Sequence, residues 1–211
     1  MLKCVCFSTD CLIVFMDGTF LQLGMGSTLE TLCGQAYGAK NYHMVWIFLQ
    51  RAEVVLNVTS IPIAILWMNM EKVLLSLGQE PLISQKSSDY LHYLIPSLFA
   101  NATLQPLVKY LQTQSIIAPM AILSSVTFLF HILLCWLLVW KYELGNTGTA
   151  VANSISSWLN VSLLLVYIFC SEKCKRTRAS LSWEAFHDMN HFIKIAIPSA
   201  LMIWWDDIQP L

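Results

Sequence analysis

The sequence predicts an all-α integral membrane protein, built as a bundle of several membrane-spanning helices. Of its 211 residues, 56% are hydrophobic and only 12% are charged, whereas a soluble domain carries about 25% charged residues. A chain with so few charged residues cannot cover its surface with polar groups. Most of that surface must therefore face lipid. The second observation is that apolar stretches of about 20 residues, enough to cross a bilayer, alternate with short polar segments. The net charge of −1 gives no basic bias towards nucleic acid, and we expect the lipid bilayer, not nucleic acid, as a partner.

Four stretches qualify as spanning helices by length and apolar content, and each is bounded by charged residues or by Gly and Pro. They are Trp46–Met70, Tyr90–Tyr110, Ile116–Trp140 and Thr149–Cys170. Two further stretches are incomplete: Leu12–Leu32 is apolar but contains Asp17 and several glycines, and Phe192–Trp205 ends close to the last residue. We therefore expect five spans and the beginning of a sixth.

The order of these stretches divides the chain into four parts. Residues 1–11 form an N-terminal tail, and residues 12–170 contain the helices of the bundle. Residues 171–191 form a polar loop whose second half, Leu181–His191, has the pattern of an amphipathic surface helix. Residues 192–211 begin another spanning helix.

Lys and Arg residues near the ends of the predicted spans divide unequally between the two sides of the membrane. Four fall on one side: Lys3, Lys72, Lys86 and Lys141. Eight fall on the other: Lys40, Arg51, Lys109, Lys173, Lys175, Arg176, Arg178 and Lys194. Cytoplasmic loops carry the excess of positive charge, so we expect the segment Ser171–Asn190 on the cytoplasmic face.

Polar residues inside the predicted spans are the candidates for transport chemistry, because such side chains usually bond across helices or face a cavity. Four neutral ones are candidates to line a substrate cavity: Asn101, Gln105, Asn153 and Asn160. Asp17 is the most deeply placed carboxylate, and an acid inside the membrane is a candidate proton site. Arg51 and Glu53 fall near the cytoplasmic start of the span Trp46–Met70, where long side chains can reach the interface.

Glu30, Gln35 and Arg51 flank the segment that contains Gly34 and Gly38. Their carboxylate, amide and guanidinium groups can bond the exposed backbone groups of helix ends. We predict that the three organise the cytoplasmic mouth and do not bind substrate. The sequence contains no H-E-x-x-H, G-x-S-x-G or P-loop motif, and its cysteine spacing does not suit zinc. We expect neither enzyme activity nor a metal site, and no cofactor beyond a coupling ion.

Several long motifs resemble, in one order, those of plant-type multidrug and toxic compound extrusion (MATE, or DETOXIFICATION) transporters. The segment LETLCGQAYGA at Leu29–Ala39 resembles the end of that family's second helix. The segments YHMVWIFLQR at Tyr42–Arg51 and PLVKYLQTQS at Pro106–Ser115 resemble parts of its third and fourth helices. The segments LGNTGTAVANSISSW at Leu144–Trp158 and FIKIAIPSALM at Phe192–Met202 resemble its sixth helix and the start of its seventh.

This resemblance implies a multi-pass secondary-active exporter of the vacuolar or plasma membrane. Members have twelve helices in two six-helix lobes and exchange small organic compounds for protons or, in some members, sodium; the proton is the coupling ion we expect here. The chain would supply helices two to six of one lobe and a stub of the seventh. Val108 stands where the family commonly has glutamine, and the proton-linked acid of the seventh helix has no secure counterpart.

A second function stays open. The chain is alternatively a truncated fragment that does not transport by itself. Such a fragment would act, if at all, by pairing with another lobe or with a full-length relative.

Overall fold

The chain is described here from a computed structural model, which describes residues 19–76, 78–175 and 177 together with the isolated residues 194, 198 and 202. Within residues 19–177 the elements are all helical. The six α-helices are α1 (Thr19–Gly38), α2 (Tyr42–Met68), α3 (Met70–Ser76), α4 (Pro81–Thr113), α5 (Ala118–Trp136) and α6 (Gly145–Cys170). The last turns of α5 continue as a π-helical segment, Leu137–Lys141, and a short 3₁₀ turn, Glu172–Cys174, follows α6.

The helix α4 lies at the centre of the bundle, since it packs against α1, α2, α3 and α6, whereas α5 packs mainly against α6. The core forms where these helices meet, around Leu29, Leu49, Leu56, Tyr110 and Leu164. Short connections make the long helices run in alternating directions. The α1–α2 connection, the α4–α5 connection and the C-terminal end of α6 therefore all lie at one end of the bundle. We call it the basic end because the predicted cytoplasmic Lys and Arg residues lie towards it.

Three helices among the described residues are long and apolar enough to cross a membrane: Tyr42–Met68, Ala118–Lys141 and Gly145–Cys170. They match three of the four predicted spans. The fourth, Tyr90–Tyr110, forms the middle of α4 but does not meet the same criterion of apolar content. Its position explains this, because a central helix can carry amides, hydroxyls and Lys109 towards protein neighbours instead of lipid.

The helix boundaries differ from the predicted ones where polar residues belong to a helix. The helix α2 begins at Tyr42, four residues before the predicted span, and α4 begins at Pro81, nine residues before Tyr90. Proline suits a first helical turn because its missing N–H would have had no partner there. The extra turns of α4 carry Ser84 and Ser88, both buried.

Three helices end in the same backbone motif. The N–H of Ile116 bonds the Leu111 carbonyl at 3.0 Å and the N–H of Ser115 bonds the Gln112 carbonyl at 2.9 Å, which is the Schellman pattern of a helix C-terminus. The same pair of bonds ends α1 at Lys40 and α3 at Gly78. The turn residue has positive φ in each: 59° at Lys40, 58° at Ser115 and 80° at Gly78. Only the last of these three is the glycine that this conformation favours.

Several predicted features lie outside the described residues: the N-terminal tail (residues 1–11), Asp17, the amphipathic segment Leu181–His191, and nearly all of Phe192–Trp205. The incomplete stretch Leu12–Leu32 is described from residue 19 onwards. There it forms α1, which continues six residues beyond Leu32 to Gly38.

Candidate functional site

An ion pair joins α1 to α4 towards the basic end. The Lys109 Nζ lies 2.7 Å from Glu30 Oε2. A Cβ on Gly26 would lie 3.8 Å from Lys109 Cγ and 3.9 Å from its Cε. The lysine stem thus crosses α1 over a residue without a side chain, which lets the ammonium reach Glu30 one turn further along.

The other two residues of the predicted mouth are placed differently. Gln35 is exposed on α1. Arg51 is only 8% exposed on α2, and its guanidinium carbon lies 5.8 Å from the centroid of the Phe48 ring. Glu30 has a charged partner, Lys109, which lies on α4. An organising role for the three remains a prediction.

A buried polar cluster fastens the segment after α6 to the end of α4, and sequence analysis missed it. The Thr177 hydroxyl donates to Gln114 Oε1 at 3.0 Å and lies 2.7 Å from the Tyr110 hydroxyl. The Cys174 carbonyl, 3.1 Å away, is a second acceptor within reach of the same Thr177 proton. Whichever oxygen accepts that proton, the Tyr110 hydroxyl donates to Thr177. Trp46 of α2 meets the Tyr110 ring edge-on at 5.8 Å. Thr177 belongs to the basic run that the charge pattern assigns to a loop, so its sequence context gave no indication of a buried contact.

Backbone carbonyls of α4 near Pro96 accept side-chain hydrogen bonds from α6. Ser154 Oγ donates to the Tyr93 carbonyl at 2.8 Å, and Trp158 Nε1 donates to the Pro96 carbonyl at 3.1 Å. Proline removes a helical N–H and its ring disturbs the preceding turn, so donors from a neighbouring helix suit this place. These two bonds fix α6 against α4.

A cavity of about 470 Å³ opens between α4 and α6 beside these bonds. Its walls are mostly apolar, and its lining residues are His92, Tyr93, Pro96, Val151, Ser154, Ile155 and Trp158. None of the four predicted cavity residues, Asn101, Gln105, Asn153 and Asn160, lines it. The four are half-buried, and their role in lining a substrate cavity stays a prediction.

His131 on α5 has both ring nitrogens in contact with side chains. The Ser156 hydroxyl donates to the Ala152 carbonyl at 2.8 Å and therefore accepts from His131 Nδ1, 3.0 Å away. In the neutral ring Nε2 is then the acceptor, and the Cys135 thiol lies 3.4 Å from it. These contacts support a packing role for His131 between α5 and α6.

Glu53 lies deeper in the bundle than the sequence indicated. It is the twelfth of 27 residues in α2, so about 16 Å of helix separate it from Tyr42 at a rise of 1.5 Å per residue. It is half-buried. The start of α2 lies four residues before the start that the apolar pattern suggested, and the expectation that Glu53 reaches the interface stays a prediction.

Comparison with known proteins gives consistent matches. The family model MatE matches residues 11–137. Protein DETOXIFICATION 12 of Arabidopsis thaliana is 46% identical over 186 residues, which are 87% of this chain and 39% of that protein. Protein DETOXIFICATION 16 of the same plant is 47% identical over 188 residues, which are 89% of this chain and 39% of that protein. The chain thus spans well under half the length of these relatives.

Solved structures match the bundle as well. The crystal structure of the eukaryotic MATE transporter AtDTX14 superposes with a TM-score of 0.86 at 40% identity, covering 94% of this chain and 46% of that one. An inward-facing multidrug resistance MATE family transporter of the MOP superfamily superposes with a TM-score of 0.72 at 16% identity, which concerns the fold alone. The family model covers more than half of the chain, its plant relatives are closely similar in sequence, and its fold is present here: the chain belongs to the MatE family.

Proposed function

We propose that this chain forms part of one lobe of a MATE exporter that moves small organic compounds across the vacuolar or plasma membrane in exchange for protons. The observation that carries the proposal is the match to a eukaryotic MATE transporter over 94% of the chain, with a TM-score of 0.86. Buried polar contacts between α1, α2 and α4 support it: the Gln22 amide donates to the Leu98 carbonyl at 3.3 Å and lies 3.5 Å from Ser60 Oγ. A helix bundle that only anchors in lipid does not require such contacts.

The coupling ion proposed is the proton, in preference to sodium. A single carboxyl inside the membrane can carry a proton, and Asp17 is the candidate retained from the sequence. In this proposal Asn101, Gln105, Asn153 and Asn160 bond the polar edges of a substrate on the side where a second lobe completes the cavity. Substrate binding near the midplane between two structural repeats is the usual arrangement in secondary transporters.

A second candidate is a polypeptide that does not transport by itself. The observation that favours it is the matched length, 39% of DETOXIFICATION 12. Alternating access needs one lobe to move against another around the site. A 211-residue chain expressed alone would then need a second lobe, from another copy or from a full-length relative.

Reconstitution separates the two candidates. The 211-residue chain is placed in vesicles with an imposed pH gradient, alone or co-expressed with the unmatched length of DETOXIFICATION 12, and uptake of a fluorescent organic cation is followed. We expect gradient-driven uptake only with the complementing lobe. Uptake by the chain alone that disappears in Asp17→Asn would contradict the fragment proposal, and no uptake by either preparation would contradict the exporter proposal.

A further inference from the structure

The Glu53 carboxyl lies within the bundle without a described partner. Neighbouring contacts fix its depth: Trp46 meets Tyr110 towards the basic end, and Asn57 Nδ2 lies 3.5 Å from Thr103 Oγ1 on the other side. Among the described residues (19–76, 78–175 and 177) its carboxylate makes no hydrogen bond or ion pair. A carboxylate held at this depth is costly unless a proton or a cation neutralises it.

The helix face around Glu53 is polar and incompletely bonded. Gln50 and Asn57 lie three residues before and four residues after it, so all three share one side of α2. The Asn57 amide donates to the Glu53 carbonyl at 2.8 Å. Gln50 is 7% exposed, and neither its amide nitrogen nor its amide oxygen has a hydrogen-bond partner. A buried amide without a hydrogen-bond partner lowers the stability of the fold, and a ligand or a protonated neighbour that bonds it can offset this cost.

None of the described charged groups pairs with the Glu53 carboxylate to neutralise its negative charge. On α1 and α4, Glu30 and Lys109 pair with each other at 2.7 Å, and Lys86 and Asp89 lie in the first turns of α4. On α2 itself Arg51 is buried with its guanidinium against Phe48, and it forms no ion pair with Glu53. At the opposite end His92 of α4 contacts the Met68 carbonyl at 3.3 Å. The α3 residues Glu71 and Lys72 are exposed at that same end.

We propose that Glu53 is a proton-binding site in this lobe, with Gln50 and Asn57 as its hydrogen-bonding neighbours. A hydronium ion from the aqueous side gives one proton to a carboxylate oxygen, forming an O–H bond and leaving water. The carboxyl changes from an acceptor only to a donor and acceptor. It can then donate to Gln50 Oε1 and supply the hydrogen-bond partner that this amide oxygen lacks. The role of the site in coupling rests on the proposed antiport, but proton binding itself does not.

Infrared difference spectroscopy tests the site directly. The purified 211-residue chain in lipid nanodiscs is titrated with acid while the carbonyl stretch of protonated carboxyl groups is recorded. We expect a band that grows with acidification, disappears in Glu53→Gln and shifts in frequency in Gln50→Leu. The matched control is Glu30→Gln, which removes the exposed, lysine-paired carboxyl and should leave the Glu53 band in place.

The response of the infrared band to the Glu53 variants, to acid and to an organic cation decides the proposal. An acid-dependent spectrum unchanged by Glu53→Gln would overturn it, as would a band abolished by tetraphenylphosphonium at constant pH but insensitive to acid, because the site would then take an organic cation. Circular dichroism checks that the variants keep their helices. If Glu53→Gln does not fold, a band shifted in Glu53→Asp supports the proposal and an unshifted band refutes it. A Glu53 band without transport by the complemented protein would refute the antiport and leave the proton site standing.

Discussion

At the scale of single residues, the contacts across α1 and α4 depend on side chains that the sequence separates widely. Glu30 and Lys109 are 79 positions apart, and Lys109 reaches its partner over Gly26. Glu30 keeps about half of its side chain exposed and Lys109 about a fifth. This exposure limits what the ion pair adds to stability, because water and salt screen partly exposed charges.

A double-mutant cycle measures that ion pair. The variants Glu30→Gln and Lys109→Met, singly and together, are expected to give a coupling free energy of about 0.2–1 kcal/mol, as exposed pairs do. Thermal unfolding in detergent, followed by tryptophan fluorescence at low salt, supplies the values. The coupling should shrink in high salt. A coupling several times larger, or one insensitive to salt, would show that the pair is shielded from water.

The Thr177 cluster gives a stronger expectation because it is buried. Thr177→Val keeps the shape of the side chain but leaves the Tyr110 hydroxyl and the Gln114 oxygen without their partner. The expected loss of stability is about 1–3 kcal/mol, the cost of leaving buried polar groups unsatisfied. The exposed Thr31, whose hydroxyl bonds the Ser27 carbonyl, provides the control: Thr31→Val should change unfolding much less. Equal effects in the two variants would contradict the cluster.

Sequence analysis identified some of these residues and missed their partners for a physical reason. Glu30 was predicted to organise the cytoplasmic mouth, but its ion-pair partner Lys109 was missed, because pairing across helices has no local pattern. Glu53 was placed seven residues into a span but is the twelfth residue of α2, because apolar periodicity put the start of the span at Trp46 instead of Tyr42. Asp17 lies outside the described residues, so its proposed role is still a prediction.

At the scale of elements, the sequence predicted helices most accurately where they face outwards. The spans that became α2, α5 and α6 were found to within a few residues, because lipid selects for continuous apolar residues. The central helix α4 was underestimated by nine residues at its start, since protein neighbours cover its Ser84 and Ser88. The π-helical turn at Leu137–Lys141 was not predicted. It accompanies the close approach of the Leu138 carbonyl to Gly148, where an added Cβ would lie 3.3 Å away.

The helix ends offer a stabilising substitution. Ser115 adopts φ 58°, and an L-residue with a Cβ pays roughly 1–2 kcal/mol for that conformation. Ser115→Gly should therefore raise the thermal midpoint of unfolding, by an amount reduced by the extra backbone freedom of glycine in the unfolded chain. The converse change, Gly78→Ala at the end of α3, should lower it. A lower midpoint in Ser115→Gly would show that the serine side chain itself stabilises the turn.

At the scale of the whole molecule, the orientation of the bundle can be tested with the cysteines beside the basic end. Cys170 is exposed at the end of α6, whereas Cys174 is fully buried and cannot report sidedness. In a variant that keeps Cys170 as its only exposed thiol, a membrane-impermeant maleimide should label Cys170 in inverted vesicles but not in intact cells, since the excess of Lys and Arg favours the cytoplasm. Labelling in intact cells would reverse the proposed topology.

Family and fold were predictable at this scale because long motifs occur in a fixed order from Leu29 to Trp158. The cavity between α4 and α6 was not predicted, and the role of the four polar residues in lining a substrate cavity stays a prediction. Asn101, Gln105, Asn153 and Asn160 were chosen because they are polar inside spans, and that criterion cannot tell an inward-facing side chain from one that faces a second lobe. The cavity found between α4 and α6 is lined by Tyr93, Ile155 and Trp158, aromatic and aliphatic residues that resemble any lipid-facing surface in sequence.

The unequal surroundings of α5 and α4 also bear on how this chain can change over evolutionary time. Along α5 the large apolar residues Ile122, Phe128, Leu129 and Leu133 are half or more exposed, so exchange among Leu, Ile, Val and Phe there disturbs few neighbours. On α4, by contrast, Ala100, Ala102, Leu107 and Tyr110 are closed in by other helices, and a change of volume at any of them must be matched by another helix. Neutral drift should therefore concentrate on α5, while α4 changes only together with its neighbours.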